Sequence, residues 1–421
     1  MRVYFSGIGG VGIGPLALIA HEAGHEVTGS DRAESLMTQE VAARDIAYQL
    51  DQSGDYLRQT HKKAPIDWFV YTSALPADHP ELVLARGLGI KTAKRDELLA
   101  HIIAEKNLKL IAVAGTHGKT TTTGMLVWIF KQLGIPVSYS IGTTLSWGPS
   151  GHFDPASDYF VYECDEFDRN FLHFSPEQAI ITSIEHDHID TYPTEAEYFA
   201  AFDQFIAQAN HSVLWQQDAP PRSREHGAHL IDKTDNTVQQ QLARLPLAGQ
   251  HNRENAYLVL ANCLNNGLDE AAVTAALATF PGTNRRFEKL AEHLYSDYGH
   301  HPAEVRATLQ MARELSSDVV LVYQPHQNIR QHEVKNAYTD ELFADATEVF
   351  WLPTYLSRED PTLALLSPQE LTAKLRDTAC HFAEMNDELW QKIEAKRRAG
   401  ALVLGMGAGS IDGWLRGQAT K

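Results

Sequence analysis

The 421-residue chain contains little cysteine, no long apolar run and fewer basic than acidic residues. Its cysteines are Cys164, Cys263 and Cys380, which lie far apart and form no Cys-x-x-Cys pair. This usage is typical of a reducing cytosol, and it excludes a disulfide framework and a cysteine-based zinc site. No apolar run approaches the roughly 18 residues of a membrane span, and the N-terminus leads directly into a predicted strand without a signal peptide. We therefore expect a cytoplasmic protein.

The charge balance also excludes classes of partner. The chain has 54 acidic and 36 basic residues, a formal net charge of −18 at pH 7. This balance argues against general binding of nucleic acid or of anionic membranes. An acidic protein that binds polyphosphates must use local devices, namely glycine loops, helix ends, single basic side chains and metal ions. The length predicts about two to four domains.

Residues 110–123, LIAVAGTHGKTTTT, combine a predicted buried strand at 110–114, a glycine loop and a predicted helix at 121–133. In such loops, backbone N–H groups and the helix N-terminus face phosphate oxygens. Lys119 adds a point charge, and the Thr120 hydroxyl can hold Mg²⁺. The general P-loop pattern has a glycine where this chain has Val113, so the loop is a variant. It predicts a triphosphate site formed by Gly115, Thr116, Gly118, Lys119, Thr120 and Thr121.

A second glycine loop lies near the N-terminus. The sequence predicts a strand at Arg2–Ser6, the loop GIGGVGIG, a helix to Ala23 and a second strand that ends near Asp31. This βαβ pattern is typical of nucleotide binding, although a tight turn in an α/β domain would give the same glycines. The segment is short for a full dinucleotide fold, so a smaller nucleotide held by one diphosphate-binding helix end fits better. Residues 72–74, after a predicted strand at Trp68–Tyr71, could supply hydroxyls to that ligand or cap the next turn.

Acidic and imidazole side chains follow two further predicted strands, at 159–162 and 179–184. Because ligands bind at the carboxyl ends of parallel strands, these side chains should lie near the triphosphate. Glu163 and His188 are therefore candidate Mg²⁺ ligands together with Thr120. Asp187 and Asp190 could instead cap the predicted helix Glu195–Gln208, or the whole run could be a solvated acidic loop.

Residues 212–246 are weakly patterned and predicted to be peripheral, and residues 280–283 read as a linker. Asn252 and Asn255 could contact an adenine edge, although an asparagine before a helix is usually an N-cap. In the C-terminal third, strands are predicted at Leu294–Asp297, 319–324, 348–352 and 401–406. His300 and His301 could be structural or catalytic, and their spacing matches no zinc site.

Taken together, the motifs resemble the Mur ligase family of ATP-dependent amide ligases, in family order over nearly the whole chain. The resemblance is carried by GIGG at 7–10, TSAL at 72–75, AGTHGKTT at 114–121, ECDE at 163–166, DHIDTY at 187–192, GQHN at 249–252, GTNRRF at 282–287, DYGHHP at 297–302 and QPH at 324–326. It implies an α/β fold of three domains. These are a Rossmann-like domain at 1–104 that binds the UDP-sugar, a central P-loop ATPase-like parallel-sheet domain at 105–283, and a C-terminal Rossmann-like domain at 284–421. The last would bind the amino acid and close on the other two.

The resemblance also implies roles for individual residues. Adenine and the rest of ATP would be held by Asn252, Asn255, Arg286 and Asp297, in addition to the phosphate loop. The sugar nucleotide would be bound by Gly9, Gly10, Val11, Gly12, Ser30, Asp31, Ser73, Ala74 and His117. The amino acid would be bound by Tyr298, His326, Gln327 and Arg330. Lys119, His188 and His300 would be catalytic, with His300 near the reacting phosphate or carboxylate.

The chemistry implied is a two-step ligation in peptidoglycan precursor synthesis. The lactyl carboxylate of UDP-N-acetylmuramate attacks the γ-phosphate of ATP, and the amine of an amino acid, L-alanine for the nearest type, then displaces phosphate from the acyl phosphate. ATP and Mg²⁺ or Mn²⁺ are the implied cofactors. We expect a monomer or weak homodimer that binds neither nucleic acid nor membrane.

Several departures from the family pattern bear on the amine. The alanine-adding type usually has arginine directly after Gln-Pro-His and again three residues later, whereas this chain has Gln327 and Arg330. This difference leaves open a tripeptide-recycling ligase or another amine, while Tyr298 favours the alanine type.

Two further features concern the middle domain. No lysine lies between Glu195 and His211 to serve as a carbamylated metal bridge. The segment 212–246 is short, which predicts a missing strand sub-sheet.

Two hypotheses that assign the chain to other classes of protein have less support. A non-catalytic nucleotide-binding protein is opposed by the retention of Lys119, Thr120, Glu163 and His188. A dehydrogenase would leave the second phosphate loop unexplained.

Overall fold

The computed structural model describes residues 1–10, 12–72, 75–189, 191–357 and 359–420, and only the backbone of Leu36. Three of the predicted sugar-nucleotide residues, Val11, Ser73 and Ala74, therefore lie outside the described residues, as does Asp190. The described chain forms three mostly parallel sheets flanked by helices, which confirms the α/β class with three sheet-bearing domains. Among the helices of the described ranges, none combines the length and apolar character that a membrane crossing requires.

The first sheet consists of five parallel strands, β1 (Arg2–Ser6), β2 (Glu26–Ser30), β3 (Ala47–Gln49), β4 (Trp68–Tyr71) and β5 (Lys91–Lys94). Its helices are α1 (Gly14–Glu22), α2 (Leu36–Ala42), α3 (Asp55–Lys63), α4 (Pro80–Gly87) and α5 (Arg95–Glu105). The strand order is β3-β2-β1-β4-β5, so the winding reverses between β1 and β4. Such a switch point opens a crevice at the carboxyl ends of the strands, and the first glycine loop begins there.

The second sheet contains β6 (Lys109–Ala114), β7 (Ser138–Ser140), β8 (Gly151–His152), β9 (Tyr159–Glu163), β10 (Gln178–Ile181), β11 (His211–Trp215) and β12 (His229–Ile231). Its helices are α6 (Lys119–Gln132), α7 (Glu195–Gln208), α8 (Asn236–Arg244), α9 (Gln250–Asn265) and α10 (Glu270–Ala278), with 3₁₀ turns at Phe167–His173 and Gln216–Asp218. The order is β12-β11-β10-β6-β9-β7-β8, parallel except for β7 with β8. Because β6 lies between β10 and β9, the loops that follow these three strands begin side by side.

The third sheet contains β13 (Glu288–Ala291), β14 (Leu294–Asp297), β15 (Val319–Tyr323), β16 (Glu348–Trp351), β17 (Cys380–Phe382) and β18 (Leu402–Met406). Its helices are α11 (Pro302–Leu315), α12 (Asn328–Val334), α13 (Pro368–Leu371), α14 (Asp387–Arg398) and α15 (Ile411–Ala419), with a 3₁₀ turn at Lys335–Ala337. The order is β13-β14-β18-β15-β16-β17, with only the β13–β14 pair antiparallel among the described strands. Along β15, Leu321 packs into one apolar cluster and Val320 and Val322 into another, so both faces of this sheet are covered.

The chain divides into two compact units. The first comprises Met1–Leu245 and Asn255–Pro281, and the second comprises Pro246–Glu254 and Gly282–Lys421. Within the first unit, a single apolar cluster includes Phe5 and Leu99 from the first sheet region and Phe160 and Phe171 from the second. The chain passes between the units at 245–246, 254–255 and 281–282, and the last of these crossings lies inside the predicted linker. The domain boundaries at 104/105 and 283/284 stay predictions.

The structure bears on two expectations about the middle of the chain. Residues 212–246, weakly patterned and predicted to be peripheral, supply most of β11 together with β12 and α8, and the two strands form one edge of the central sheet. Short strands of mixed polarity at a sheet edge leave little periodicity to detect. Helix α9 begins at Gln250, so Asn252 and Asn255 lie inside it, and the N-cap alternative for these two residues is wrong. The missing sub-sheet stays a prediction.

A buried carboxyl group ties together the carboxyl ends of β1 and β2. Glu81 in α4 is fully buried and accepts hydrogen bonds from Tyr4 Oη at 2.7 Å, Ser6 Oγ at 2.6 Å and Ser30 Oγ at 2.8 Å. Buried polar groups are costly unless they are paired, so these three hydroxyls and the carboxyl group depend on one another. The consequence for Ser30 is that its hydroxyl faces the interior instead of a ligand.

Replacing Glu81 by alanine leaves three buried hydroxyls without their acceptor. We expect Glu81→Ala to lower the free energy of unfolding by about 3 kcal/mol, measured by urea unfolding of the full chain with circular dichroism. The matched control is Glu34→Ala, at an exposed position of the same domain, where a change within about 0.5 kcal/mol is expected. Equal urea midpoints for Glu81→Ala and the unsubstituted chain would contradict the structural role of this network.

Candidate active site

The loop between β6 and α6 is shaped by two glycines with positive φ, Gly115 at 129° and Gly118 at 84°. A Cβ atom on Gly115 would lie 2.3 Å from Thr182 Oγ1, and one on Gly118 would lie 2.7 Å from the Asn255 amide nitrogen. Neither space nor backbone conformation therefore admits a larger residue. The same contact brings Asn255, a predicted ATP residue, directly against the phosphate loop.

Lys119 is held by a buried carboxyl group. Its Nζ donates to the Gly115 carbonyl at 2.6 Å and to Glu166 Oε2 at 2.8 Å. Burial alone would lower the pKa of Lys119, but the charges of Glu166 and Asp165 outweigh burial and raise its pKa. Conversely, Lys119 and His188 hold the pKa of Glu166 below its ordinary value despite the burial of that carboxyl group. Both partners are consequently charged at neutral pH.

The three predicted metal ligands separate into two groups. Thr120 Oγ1 donates to Glu163 Oε1 at 2.7 Å, so these two predicted ligands are joined. His188 Nε2 lies 3.6 Å from Glu166 Oε1, and His188, Asp165 and Glu166 have ligand atoms within 4.8 Å of one another. The donor set is dominated by hard oxygen atoms with one imidazole, which fits Mg²⁺ or Mn²⁺.

Asp165 and Glu166 were missed as site residues, although both stand in the ECDE motif quoted from the sequence. After a strand end, only side-chain packing decides which acidic group turns toward the loop. Asp187 is not the cap of α7, because Thr194 Oγ1 accepts from the Glu197 N–H at 3.3 Å in that role. Asp187 accepts from the N–H of His188 at 2.7 Å instead.

The first glycine loop is closed by Asp31. The Gly9 N–H donates to Asp31 Oδ2 at 2.7 Å, and the N–H groups of Gly7 and Ile8 donate to the Ser30 carbonyl at 2.8 and 2.9 Å. Of the predicted sugar-nucleotide set, Gly9, Gly10, Gly12, Ser30 and Asp31 thus belong to one region at the ends of β1 and β2.

His117 has different surroundings. It lies in the phosphate loop itself, with its N–H on Ser183 Oγ at 3.0 Å and its Nε2 3.4 Å from Glu185 Oε2. Its neighbours are therefore residues that follow β6 and β10 of the second sheet.

In the second compact unit, the predicted residues form a continuous series of ring and charge contacts. The Arg286 guanidinium lies 5.2 Å from the Tyr298 ring, which packs on His300 with centroids 5.7 Å apart. His300 in turn lies 5.2 Å from His326, and its Nε2 is 3.4 Å from Arg330 Nη1. Burial lowers the pKa of His300 and lowers that of His326 to about 4, so both imidazoles are neutral at pH 7.

Of the surrounding residues of this unit, Asp297, Gln327 and Asn252 were predicted from the sequence, whereas Tyr355 was not. Asp297 is buried, with its carboxyl oxygens accepting from the N–H groups of Gly299 and Phe287, each at 2.7 Å, and burial raises its pKa. Tyr355 stacks on His326 at 5.7 Å, and its carbonyl accepts from the Gln327 N–H at 2.8 Å. Asn252 donates to the Ala248 carbonyl at 3.1 Å in this unit, whereas Asn255 belongs to the other.

Comparisons with known proteins agree with these motifs. The family models "Mur ligase family, catalytic domain", "Mur ligase middle domain" and "Mur ligase, glutamate ligase domain" match residues 2–107, 113–226 and 285–409. A protein of Carboxydothermus hydrogenoformans named UDP-N-acetylmuramate–L-alanine ligase is 32% identical over 98% of this chain and 95% of its own length. One of the same name from Gloeobacter violaceus is 31% identical over 97% and 93%. The crystal structure of the UDP-N-acetylmuramate–alanine ligase of Thermotoga maritima matches with a TM-score of 0.78, 26% identity and full coverage of both chains.

The contact between Gly118 and Asn255 gives a test of the phosphate loop. We expect Gly118→Ala to weaken ATP binding at least tenfold in calorimetric titration, because the new methyl group displaces the Asn255 amide and reshapes the loop. The control is Gly134→Ala at the other end of α6, which also has positive φ, 66°, but has nothing within 4 Å of the added Cβ. Both variants carry the backbone strain, so equal ATP affinities in the two would show that the Asn255 contact is unimportant.

Proposed function

The chain belongs to the Mur ligase family, and we propose that it joins L-alanine to UDP-N-acetylmuramate in an ATP-dependent, ADP-forming reaction of peptidoglycan precursor synthesis. The observation that carries this proposal is the placing of Lys119, Thr120, Glu163, Glu166 and His188 around one phosphate loop. The names of the full-length relatives support the choice of substrates. A Rossmann-like first sheet with its own glycine loop supports a second nucleotide ligand beside ATP.

In the first step, the lactyl carboxylate attacks the γ-phosphorus of ATP, the bond to the β,γ-bridging oxygen breaks, and ADP leaves an acyl phosphate. Lys119 supplies positive charge at the transferring phosphoryl group, for which it exchanges Glu166 for phosphate oxygens. Thr120, Glu163 and His188, with Asp165 and Glu166 beside them, would hold Mg²⁺ or Mn²⁺. When bound, this ion neutralises charge on the phosphates. The N–H groups of the loop orient the triphosphate.

In the second step, the amine attacks the acyl carbon, the carbon–oxygen bond to phosphate breaks, and an amide and inorganic phosphate result. The attacking amine must lose a proton, which requires a neutral base close to it. His300 is such a base, because burial keeps its pKa low, and its Nε2 lies 3.4 Å from Nη1 of the cationic Arg330. Of the two positions after Gln-Pro-His where the alanine-adding type has arginine, this chain has arginine only at Arg330, which would bind the amino-acid carboxylate.

A peptide in place of alanine is the second candidate, and Gln327 is the residue that favours it. A glutamine donates neutral hydrogen bonds where the alanine-adding type has a second guanidinium, so the carboxylate of a free amino acid loses one ionic partner.

The two candidates are separated by measuring phosphate release with ATP, Mg²⁺ and UDP-N-acetylmuramate and a panel of twenty amino acids plus the tripeptide. We expect release to require both the sugar nucleotide and an amine, with L-alanine giving the highest rate. Turnover with the tripeptide and none with alanine would replace the first candidate by the second. Release that needs no amine would contradict a ligase of either kind.

Removal of the lysine charge tests the phosphate site. We expect Lys119→Ala to lower the rate of phosphate release by about a thousandfold while leaving the fold intact, since one preorganised charge at a developing anion has effects of this size. The matched control is Lys131→Ala, an exposed lysine of the same helix, which should retain the original rate. A Lys119→Ala enzyme with undiminished turnover would show that the site is wrongly assigned.

A further inference from the structure

A cavity of about 240 Å³ lies within the first compact unit, and its walls come from both sheets of that unit. The first glycine loop contributes Gly10 and Gly12, the end of β4 contributes Thr72, and the junction of β5 with α5 contributes Arg95. The loop after β9 contributes Asn170 from the opposite side. The cavity is therefore bounded by the glycine loop of the first domain and by the segment that follows β9, which contributes Asp165 and Asn170.

Arg95 presents part of its guanidinium to this cavity. Its Nη1 lies 3.0 Å from the position that a Cβ atom on Gly12 would occupy, so the group lies directly on the glycine loop. Its Nε and Nη2 donate to Asp96 Oδ1 at 3.4 and 3.2 Å. Within the described part of the chain, Nη1 has no hydrogen-bond acceptor. The adjacent cation, Lys94, is instead paired with Asp168.

The orientation of Arg95 is fixed from the second sheet. Asp96 is buried, with 3% of its surface exposed, and its Oδ1 also accepts a short hydrogen bond from the hydroxyl of Tyr162. Tyr162 lies in β9, is equally buried, and directly precedes Glu163. A single carboxyl oxygen therefore links the guanidinium to a rigid strand, which limits the rotamers that Arg95 can adopt.

We propose that Arg95 binds the diphosphate of the sugar nucleotide, and that Asp96 and Tyr162 are positioning residues which keep its guanidinium over the first glycine loop. This inference rests on the proposed function, which supplies the sugar nucleotide. Arginine presents several donors in a planar fork that matches phosphate oxygens, and the glycine loop lets a diphosphate approach the backbone beside it. An acidic chain needs such a local cation to hold a doubly charged group.

The first test measures binding without turnover. UDP, UMP and uridine are titrated calorimetrically into the unsubstituted protein, Arg95→Ala, Arg95→Lys and the exposed control Arg86→Ala. We expect Arg95→Ala to raise the Kd for UDP between about tenfold and a hundredfold, with a smaller rise for Arg95→Lys. The Kd for uridine and the Kd for ATP should stay unchanged, and Arg86→Ala should bind UDP like the unsubstituted protein.

Equal UDP affinities for Arg95→Ala and the unsubstituted protein would overturn the assignment, as would an equal loss for uridine and UDP. Unfolding temperatures measured without ligand identify a variant that fails to fold. If Arg95→Ala fails to fold, the UDP affinity of Arg95→Lys decides the assignment, since lysine retains the charge and the length of the stem. If the unsubstituted protein binds UDP through Arg95 but releases no phosphate with any amine, the proposed reaction fails while the binding role stands. If phosphate is released and Arg95→Ala binds UDP normally, only the role of Arg95 fails.

The second test addresses the positioning residues with Tyr162→Phe, which removes one hydroxyl and keeps the ring. We expect the KM for the sugar nucleotide to rise several-fold, with kcat and the KM for ATP nearly unchanged. If the hydroxyl had only a structural role, its removal would lower the unfolding temperature and leave the ratio of the two KM values unchanged. That result would overturn the positioning role. Asp96→Asn should change the same KM in the same direction.

Discussion

The buried ion pair between Lys119 and Glu166 is the interaction on which the phosphate loop depends. Removing two charges from water is costly, and an ammonium group left alone at this depth would be strongly destabilising. Glu166 is 1% exposed in its side chain and Lys119 16%, and the lysine also reaches the Gly115 carbonyl. The pair thus stabilises the conformation of the loop in which Lys119 contacts Glu166. Phosphate oxygens must therefore compete with Glu166 for the lysine. Binding of a triphosphate would leave that carboxyl group to a new cation.

Strand β9 connects this loop to the first domain. Successive residues of a strand point to opposite faces, and here Tyr162 turns to Asp96 while Glu163 turns to Thr120. In the proposed assignment of the two sites, the contacts that would hold the sugar nucleotide and ATP are thereby tied to neighbouring residues of one short strand. A shift of β9 by a fraction of an ångström would disturb both contacts, so precision in one site requires precision in the other.

Sequence patterns predicted the parts of this arrangement that are local. The strand, loop and helix around Lys119 follow from glycine positions and apolar runs, and α7 has the predicted bounds. The contact between Thr120 and Glu163 could be expected because parallel strands end at one edge. The partners of Lys119 and His188 could not be predicted from the sequence, since Glu163, Asp165 and Glu166 are chemically alike and only packing distinguishes them.

Packing between distant parts of the chain also decides the roles of residues in the first domain, and the sequence does not reveal it. Ser30 stands at a strand end beside a glycine loop, as a ligand-binding hydroxyl would, yet Glu81 from a helix 51 residues later turns it inward. Arg95 has no recognisable motif, and its position on Gly12 depends on Asp96 and on a tyrosine of another sheet. Such long-range pairings leave no periodic signal in the chain.

The proposed site for the amine poses a different question, because it depends on the charge state of a few side chains. Arg330 faces His300, and two neutral imidazoles stand near it, since burial keeps the pKa of His300 and His326 low. A neutral base next to a fixed guanidinium suits a zwitterion, whose carboxylate pairs with the arginine while its amine gives up a proton. In the proposed amino-acid site, Gln327 offers a neutral hydrogen-bond donor where the alanine-adding type has a second guanidinium group. Recognition then shifts toward geometry, because one salt bridge with one neutral hydrogen bond is more sensitive to orientation than two guanidinium groups.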